Sequence, residues 1–236
     1  MAAPIVIILL VEALIAAIRR TQEQDKKKHK VVLLSWSVPR TVVELYKYIG
    51  ALVFSMSCVF FTTNALKKVV GSLRPHFIDV CNPDWSKVAC KDSNGHQLYV
   101  GNFHCTGNVD QILEARRSFP SGHSSLAFGG MLFGVLYLQA RLKWQEHKTA
   151  PMRELSHQQG AKGRLTEQLY WLVQAAVPLL QVMMLLLGLY VAATRVVEHF
   201  HHGRDVAAGM AIGAACAVFG SFFVIDMSGR QDGGHF

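Results

Sequence analysis

Three short stretches of this chain carry residue types suited to holding and cleaving an anionic phosphate ester. The first runs Lys67-Lys68-Val69-Val70-Gly71-Ser72-Leu73-Arg74-Pro75, the second is Pro120-Ser121-Gly122-His123, and the third is Thr194-Arg195, then His201, then Asp205. Lys67, Arg74 and Arg195 are cationic donors. A phosphoryl group in its transition state spreads charge over its equatorial oxygens, and fixed cations stabilise that spread. His201 and Asp205 are spaced i, i+4, which on a helix places them on one face. An aspartate there accepts the imidazole Nδ1–H and leaves Nε2 free to attack phosphorus. Ser121 and Gly122 follow a proline and precede an apolar run, as at a helix N-terminus, where free N–H groups point at an anion. His123 is placed to protonate a leaving alkoxide.

Each stretch also has an ordinary reading. His201 and Asp205 make a plausible surface pair, Ser121 a plausible cap, and lysine or arginine at an apolar boundary commonly snorkels. That is the preferred reading for Lys68. His199, His201, His202 and Asp205 do not read as a metal site, because helical spacing does not converge the three imidazoles.

The elements that must position these residues read as membrane helices. About half of the 236 residues are hydrophobic (51%) and the mean hydropathy is +0.24, which is high for a soluble domain. Five apolar stretches stand out, at 2–18, 48–66, 124–139, 170–193 and 206–225. They predict an all-α, multi-pass bundle that forms one domain over residues 1–236. The first lacks a basic region before it and has Arg19 and Arg20 after it. This polarity is wrong for a signal peptide, so a retained helix is expected. Glu12 within it should face the bundle interior. Phe54, Phe60, Met183 and Met184 read as packing and lipid contacts.

The net charge is +8, and the basic residues gather beside apolar stretches, which favours a lipid bilayer over nucleic acid as the partner. Segments 19–47 and 141–169 are rich in Lys and Arg and are expected as cytoplasmic loops. Segments 67–119 and 194–205, which hold much of the chemistry, then share the exoplasmic or lumenal face. Residues 228–235 read as a frayed tail. Cys58 and Cys216 read as packing residues. Cys81, Cys90 and Cys105 share one polar loop in which two of the three are expected to pair in an oxidising compartment.

The combination of Lys, six residues, Arg-Pro, then Pro-Ser-Gly-His, then Arg, five residues, His, three residues, Asp resembles the signature of the type 2 phosphatidic acid phosphatase superfamily. Leu73-Arg74-Pro75-His76-Phe77 and Ser118-Phe119-Pro120-Ser121-Gly122-His123-Ser124 resemble its lipid phosphate phosphatase branch. The resemblance implies that Lys67, Arg74, Arg195, Ser121 and Gly122 bind phosphate. It also implies that His201 forms a phosphohistidine oriented by Asp205, with His123 as acid and then base, and that no metal or other cofactor is needed. Expected substrates are phosphatidate, lysophosphatidate, ceramide 1-phosphate and sphingosine 1-phosphate, with the plasma membrane as the first expectation for location. Homo-oligomer formation is compatible with the resemblance. Thr194 stands where the family usually has Ser. The family usually has six spans, so its first helix is expected to be missing here. No Asn-X-Ser/Thr acceptor occurs, so glycosylation is not expected. Other readings are a sugar-phosphate phosphatase resembling glucose-6-phosphatase, an inactive lipid-binding relative and a lipid transporter. The complete set of motif residues argues against the inactive relative, and the lack of an internal repeat argues against the transporter.

Overall fold

A computed structural model describes residues 2–21, 30–33, 36–98, 100, 103–158 and 160–225. Seven α-helices occur among them: α1 (Ala2–Thr21), α2 (Arg40–Val70), α3 (Phe77–Cys81), α4 (Val109–Ala115), α5 (Gly122–Gln158), α6 (Gly160–Val197) and α7 (Gly203–Phe219). A π-helical turn, Gly220–Val224, extends α7. A short antiparallel pair, β1 (Lys30–Leu33) and β2 (Trp36–Pro39), precedes α2, with Lys30 opposite Pro39.

Among the described residues, three helical segments are long and apolar enough to cross a membrane: Arg40–Val70, Ala175–Val197 and Gly203–Val224. The first contains the second expected span, and the other two overlap the fourth (170–193) and the fifth (206–225). The first expected span is helical, but its apolar part, Ala3–Ala17, is shorter. The third lies within α5 and is less apolar, and its surroundings explain why. The helix α5 packs against α1, α2, α6 and α7, and no residue from 124 to 141 is exposed. Its surface meets protein rather than lipid, so small residues serve where leucine would otherwise be needed.

The crossing of α5 and α7 is made by glycine. A Cβ on Gly129 would lie 2.8 Å from the Gly213 carbonyl oxygen, and one on Gly209 would lie 2.5 Å from that of Ser121. A Cβ on Gly213 would run into the Ser125 carbonyl. The four-residue spacing of Gly209 and Gly213 puts both on one helix face, and the backbones come together there. Around this crossing the core gathers Ile8, Leu52, Met56, Phe133, Tyr137 and Met184. As expected, Glu12 faces inward. It is buried and accepts hydrogen bonds from Tyr137 Oη (2.9 Å), Arg141 Nε (2.6 Å) and Arg141 Nη2 (2.8 Å).

Segment 141–169 is corrected from a loop to helix, since α5 runs to Gln158 and α6 starts at Gly160. Hydropathy marks where a helix leaves the bilayer, and helix-forming Ala, Glu, Gln, Lys and Arg carry the helix beyond that point. Residues 22–29 of segment 19–47 and the tail at 228–235 lie outside the described residues.

Segment 67–119 has its own small core, in which Phe77, Cys81, Ile112 and Ala115 pack with Leu73, Val80, Phe103 and Cys105. Cys81 and Cys105 are the two cysteines that pair, with Cα atoms 4.7 Å apart. Cys90 is free and exposed.

Candidate active site

The first group is set by the end of α2. Gly71 adopts the left-handed conformation (φ 59°) that closes the helix, a conformation glycine takes without a Cβ penalty. Lys67 therefore stays on the last turn while the chain bends away. Its ammonium lies beside the start of α5, where a Cβ on Gly122 would sit 3.8 Å from Lys67 Nζ. Arg74 is fixed by its backbone N–H to the Ala115 carbonyl (2.8 Å) and by Nη2 to Glu114 Oε1 on α4 (2.5 Å). Its Nε–H is buried without a hydrogen-bond partner. A buried donor of this kind suits an incoming oxyanion.

The second group is tied to both of the others. The Ser118 N–H donates to the Ser72 carbonyl (2.8 Å), and the Ser121 N–H donates to the Asp205 carbonyl (2.9 Å). The Phe119–Pro120 peptide between them is cis. Ser121 is buried, and its Oγ lies 2.8 Å from Ser124 Oγ and accepts from the Ser124 N–H (3.4 Å). Its N–H is thus committed to the fold, while its hydroxyl caps α5. Gly122 and His123 occupy the first helical positions, whose N–H groups have no partner within the helix. His123 is exposed on one side. Its pKa is lowered by burial of the rest of the ring and then by the Arg195, Lys67 and Arg74 cations. Residues from all three stretches therefore share one electrostatic field.

The third group follows α6. The Phe200 and His201 N–H groups both donate to the Arg195 carbonyl (3.2 and 3.1 Å), after a turn in which His199 has φ 58°. Arg195 Nη2 pairs with Glu198 Oε2 (2.8 Å), and the Thr194 hydroxyl donates to the Val191 carbonyl (2.8 Å). His201 is buried, 2% exposed. Burial, followed by the Arg74 and Lys67 cations, pushes its pKa down to about 4, against smaller opposing effects of Ser118 and Asp205.

The His201–Asp205 contact differs from expectation. His201 precedes α7 and Asp205 lies in its first turn, so the i, i+4 pair does not share one helix. His201 Nδ1 is 4.0 Å from Asp205 Oδ2, beyond direct hydrogen bonding. Ser118 Oγ bridges the gap, 3.4 Å from His201 Nδ1 and donating to Asp205 Oδ2 at 2.5 Å. The same carboxylate oxygen accepts the His202 N–H (3.1 Å). A chain Nδ1–H to Ser118 Oγ, and Oγ–H to Asp205, would leave the lone pair on Nε2. Ser118, Glu114 and Phe200 escape sequence reading, being ordinary loop or helix residues until the fold assembles them. No group of three or more His, Cys, Asp or Glu side chains able to hold a metal occurs among the described residues.

Comparison with known proteins identifies the family. The chain is 37% identical over 185 residues to phospholipid phosphatase 1 of Mus musculus, covering 78% of this chain and 54% of that protein. It is 35% identical over 185 residues to phospholipid phosphatase 2 of Mus musculus, covering 78% and 55%. The chain thus spans about half the length of these curated relatives. No solved structure matches it significantly. The model of the PAP2 superfamily matches residues 48–226, a stretch that contains α5 and all three residue groups, and the chain belongs to that superfamily.

Proposed function

We propose that this integral membrane protein is a phosphatase for lipid phosphate monoesters, acting through a phosphohistidine on His201 without a metal ion. The observation that carries this reading is a buried imidazole whose Nδ1 faces Ser118 Oγ and whose pKa is lowered by burial and by the Arg74 and Lys67 cations. The phosphate would lie among Lys67, Arg74, Arg195 and the Gly122 N–H. Its second anionic charge would raise the pKa of His123 and let that ring carry a proton. His201 Nε2 attacks phosphorus as the P–O bond to the lipid breaks, and His123 protonates the departing alkoxide. Neutral His123 then takes a proton from water, whose oxygen attacks the phosphohistidine. Orthophosphate leaves and His201 is regenerated.

The paired Cys81 and Cys105 beside the site support an oxidising, exoplasmic or lumenal face. The Lys- and Arg-rich segments then lie on the cytoplasmic face. The phosphate would enter the polar site while acyl chains remain in the leaflet. The relatives' names support phospholipid-type substrates, of which phosphatidate, lysophosphatidate, ceramide 1-phosphate and sphingosine 1-phosphate share the required monoester. The plasma membrane is the proposed location.

The test is phosphate release from phosphatidate in EDTA, for the wild type and His201→Ala. The wild type should keep its rate, and the variant should lose at least about a thousandfold. Retained activity in the variant overturns the nucleophile, and loss of wild-type activity in EDTA overturns metal independence. Faster cleavage of glucose 6-phosphate than of phosphatidate overturns the lipid reading.

A further inference from the structure

We propose that Phe200 is a positioning residue for the phosphate grip, its ring holding the Arg74 and Arg195 guanidinium groups so that both face one phosphoryl group. The inference rests on the phosphate-binding roles proposed above for those two arginines. Arg74 Cζ lies 5.8 Å from the Phe200 ring centroid and Arg195 Cζ lies 5.7 Å from the same centroid. Both distances are within the range at which a ring's negative face attracts a cation. Two guanidinium groups gathered for one anion repel each other before it arrives. A shared aromatic ring offsets that repulsion and restricts the planes of both groups. Glu114 and Glu198 hold one nitrogen of each arginine from other directions, so the ring supplies a contact the two pairs have in common.

The ring itself is held in place. His76 meets it edge to face, with centroids 5.1 Å apart and an interplanar angle of 82°. His76 Nδ1 donates in turn to the His199 carbonyl (2.8 Å). The Phe200 N–H is bonded to the backbone of Arg195, one of the residues the ring positions. Phe200 also immediately precedes His201, so grip and nucleophile share one backbone turn. An aromatic residue at a membrane surface often only anchors the chain there. Anchoring alone would leave phosphate affinity unchanged when the ring is replaced by leucine.

The experiment measures kcat and KM for phosphatidate in mixed micelles, together with orthovanadate inhibition, on the full chain. Phe200→Leu should raise KM and the vanadate inhibition constant about five- to thirtyfold, with a smaller change in kcat. Phe200→Tyr, which keeps the ring face, should restore both. A trifluorinated phenylalanine at 200, which keeps the shape but withdraws charge from the face, should resemble leucine and covers the case in which leucine prevents folding. Wild-type KM and vanadate inhibition in the leucine or the fluorinated variant overturns the inference. Arg74→Ala and Arg195→Ala are measured alongside. Should they leave both constants unchanged, the phosphate-binding reading falls and takes this inference with it. Should they raise both while Phe200→Leu does not, the inference alone falls.

Discussion

Two opposite demands meet at the histidines of the site. In the proposed mechanism the nucleophile must be neutral before substrate binds, and burial with neighbouring cations, which pushes His201 down to about 4, favours that state. The proposed acid must be protonated when the leaving group departs, yet His123 is also lowered in the free protein. A bound phosphate dianion would offset the cations and oppose the shift at His123. The expected consequence is two different basic limbs in the pH–rate profiles. That of kcat/KM, which reports the free enzyme, should lie below the ordinary histidine value of about 6.5. That of kcat, which reports the bound state, should lie above it. Initial rates from pH 4 to 9 check this, and coincident limbs would sink the assignment of His123 as acid. Protonation of His201 is expected to remove activity only as the pH falls towards about 4. Lys67, Arg74, Arg195, His123, His201 and Asp205 were legible in the sequence because each carries a charge or a proton at a telling spacing. Ser118 was not, because its role depends on a contact with a histidine 83 positions away. Glu114, 40 positions from Arg74, was hidden for the same reason.

Among the helices, α5 decides whether there is a site. Its N-terminus carries Gly122 and His123, and its next turns touch α7 with almost no side chain between them. Two glycines therefore answer differently to the same substitution. A Cβ at Gly122 would meet Lys67 only at van der Waals distance, so Gly122→Ala should fold normally and lose phosphatase rate by crowding the anion. A Cβ at Gly213 meets backbone on α5, so Gly213→Ala should lower the thermal midpoint in detergent, at a cost of about 1–3 kcal/mol. Thermal unfolding and phosphate release on both variants separate the two effects. A destabilised Gly122→Ala or an unaffected Gly213→Ala would contradict this packing. The helices at 48–66, 170–193 and 206–225 were legible as apolar runs. The continuation of α5 and α6 through 141–169 was not, because a helix outside the bilayer carries no apolar signal.

Over the whole molecule, the polar features sit at two levels. The candidate site residues gather where α2, α5, α6 and α7 begin or end, and the Glu12–Arg141–Tyr137 cluster lies farther along α5. From Gly122 to Arg141 the helix advances about 29 Å, close to the ~30 Å hydrocarbon thickness of a bilayer. Cys90 offers a direct check of which level faces outward, since it is free and exposed in the segment that borders the site. In intact cells displaying the protein at the surface, a membrane-impermeant maleimide should label the wild type and not Cys90→Ser. Labelling only after permeabilisation would place the site on the cytoplasmic face. The enclosure of α5 matters in one more respect. With no residue from 124 to 141 exposed, and with glycines at its crossing with α7, much of this helix faces protein rather than lipid. Its place in the membrane depends on the neighbours that surround it, so the reactive end of α5 takes shape with the completed bundle. A partly inserted chain would therefore lack the arrangement proposed above, which would tie the onset of any ester cleavage to the last stage of biogenesis.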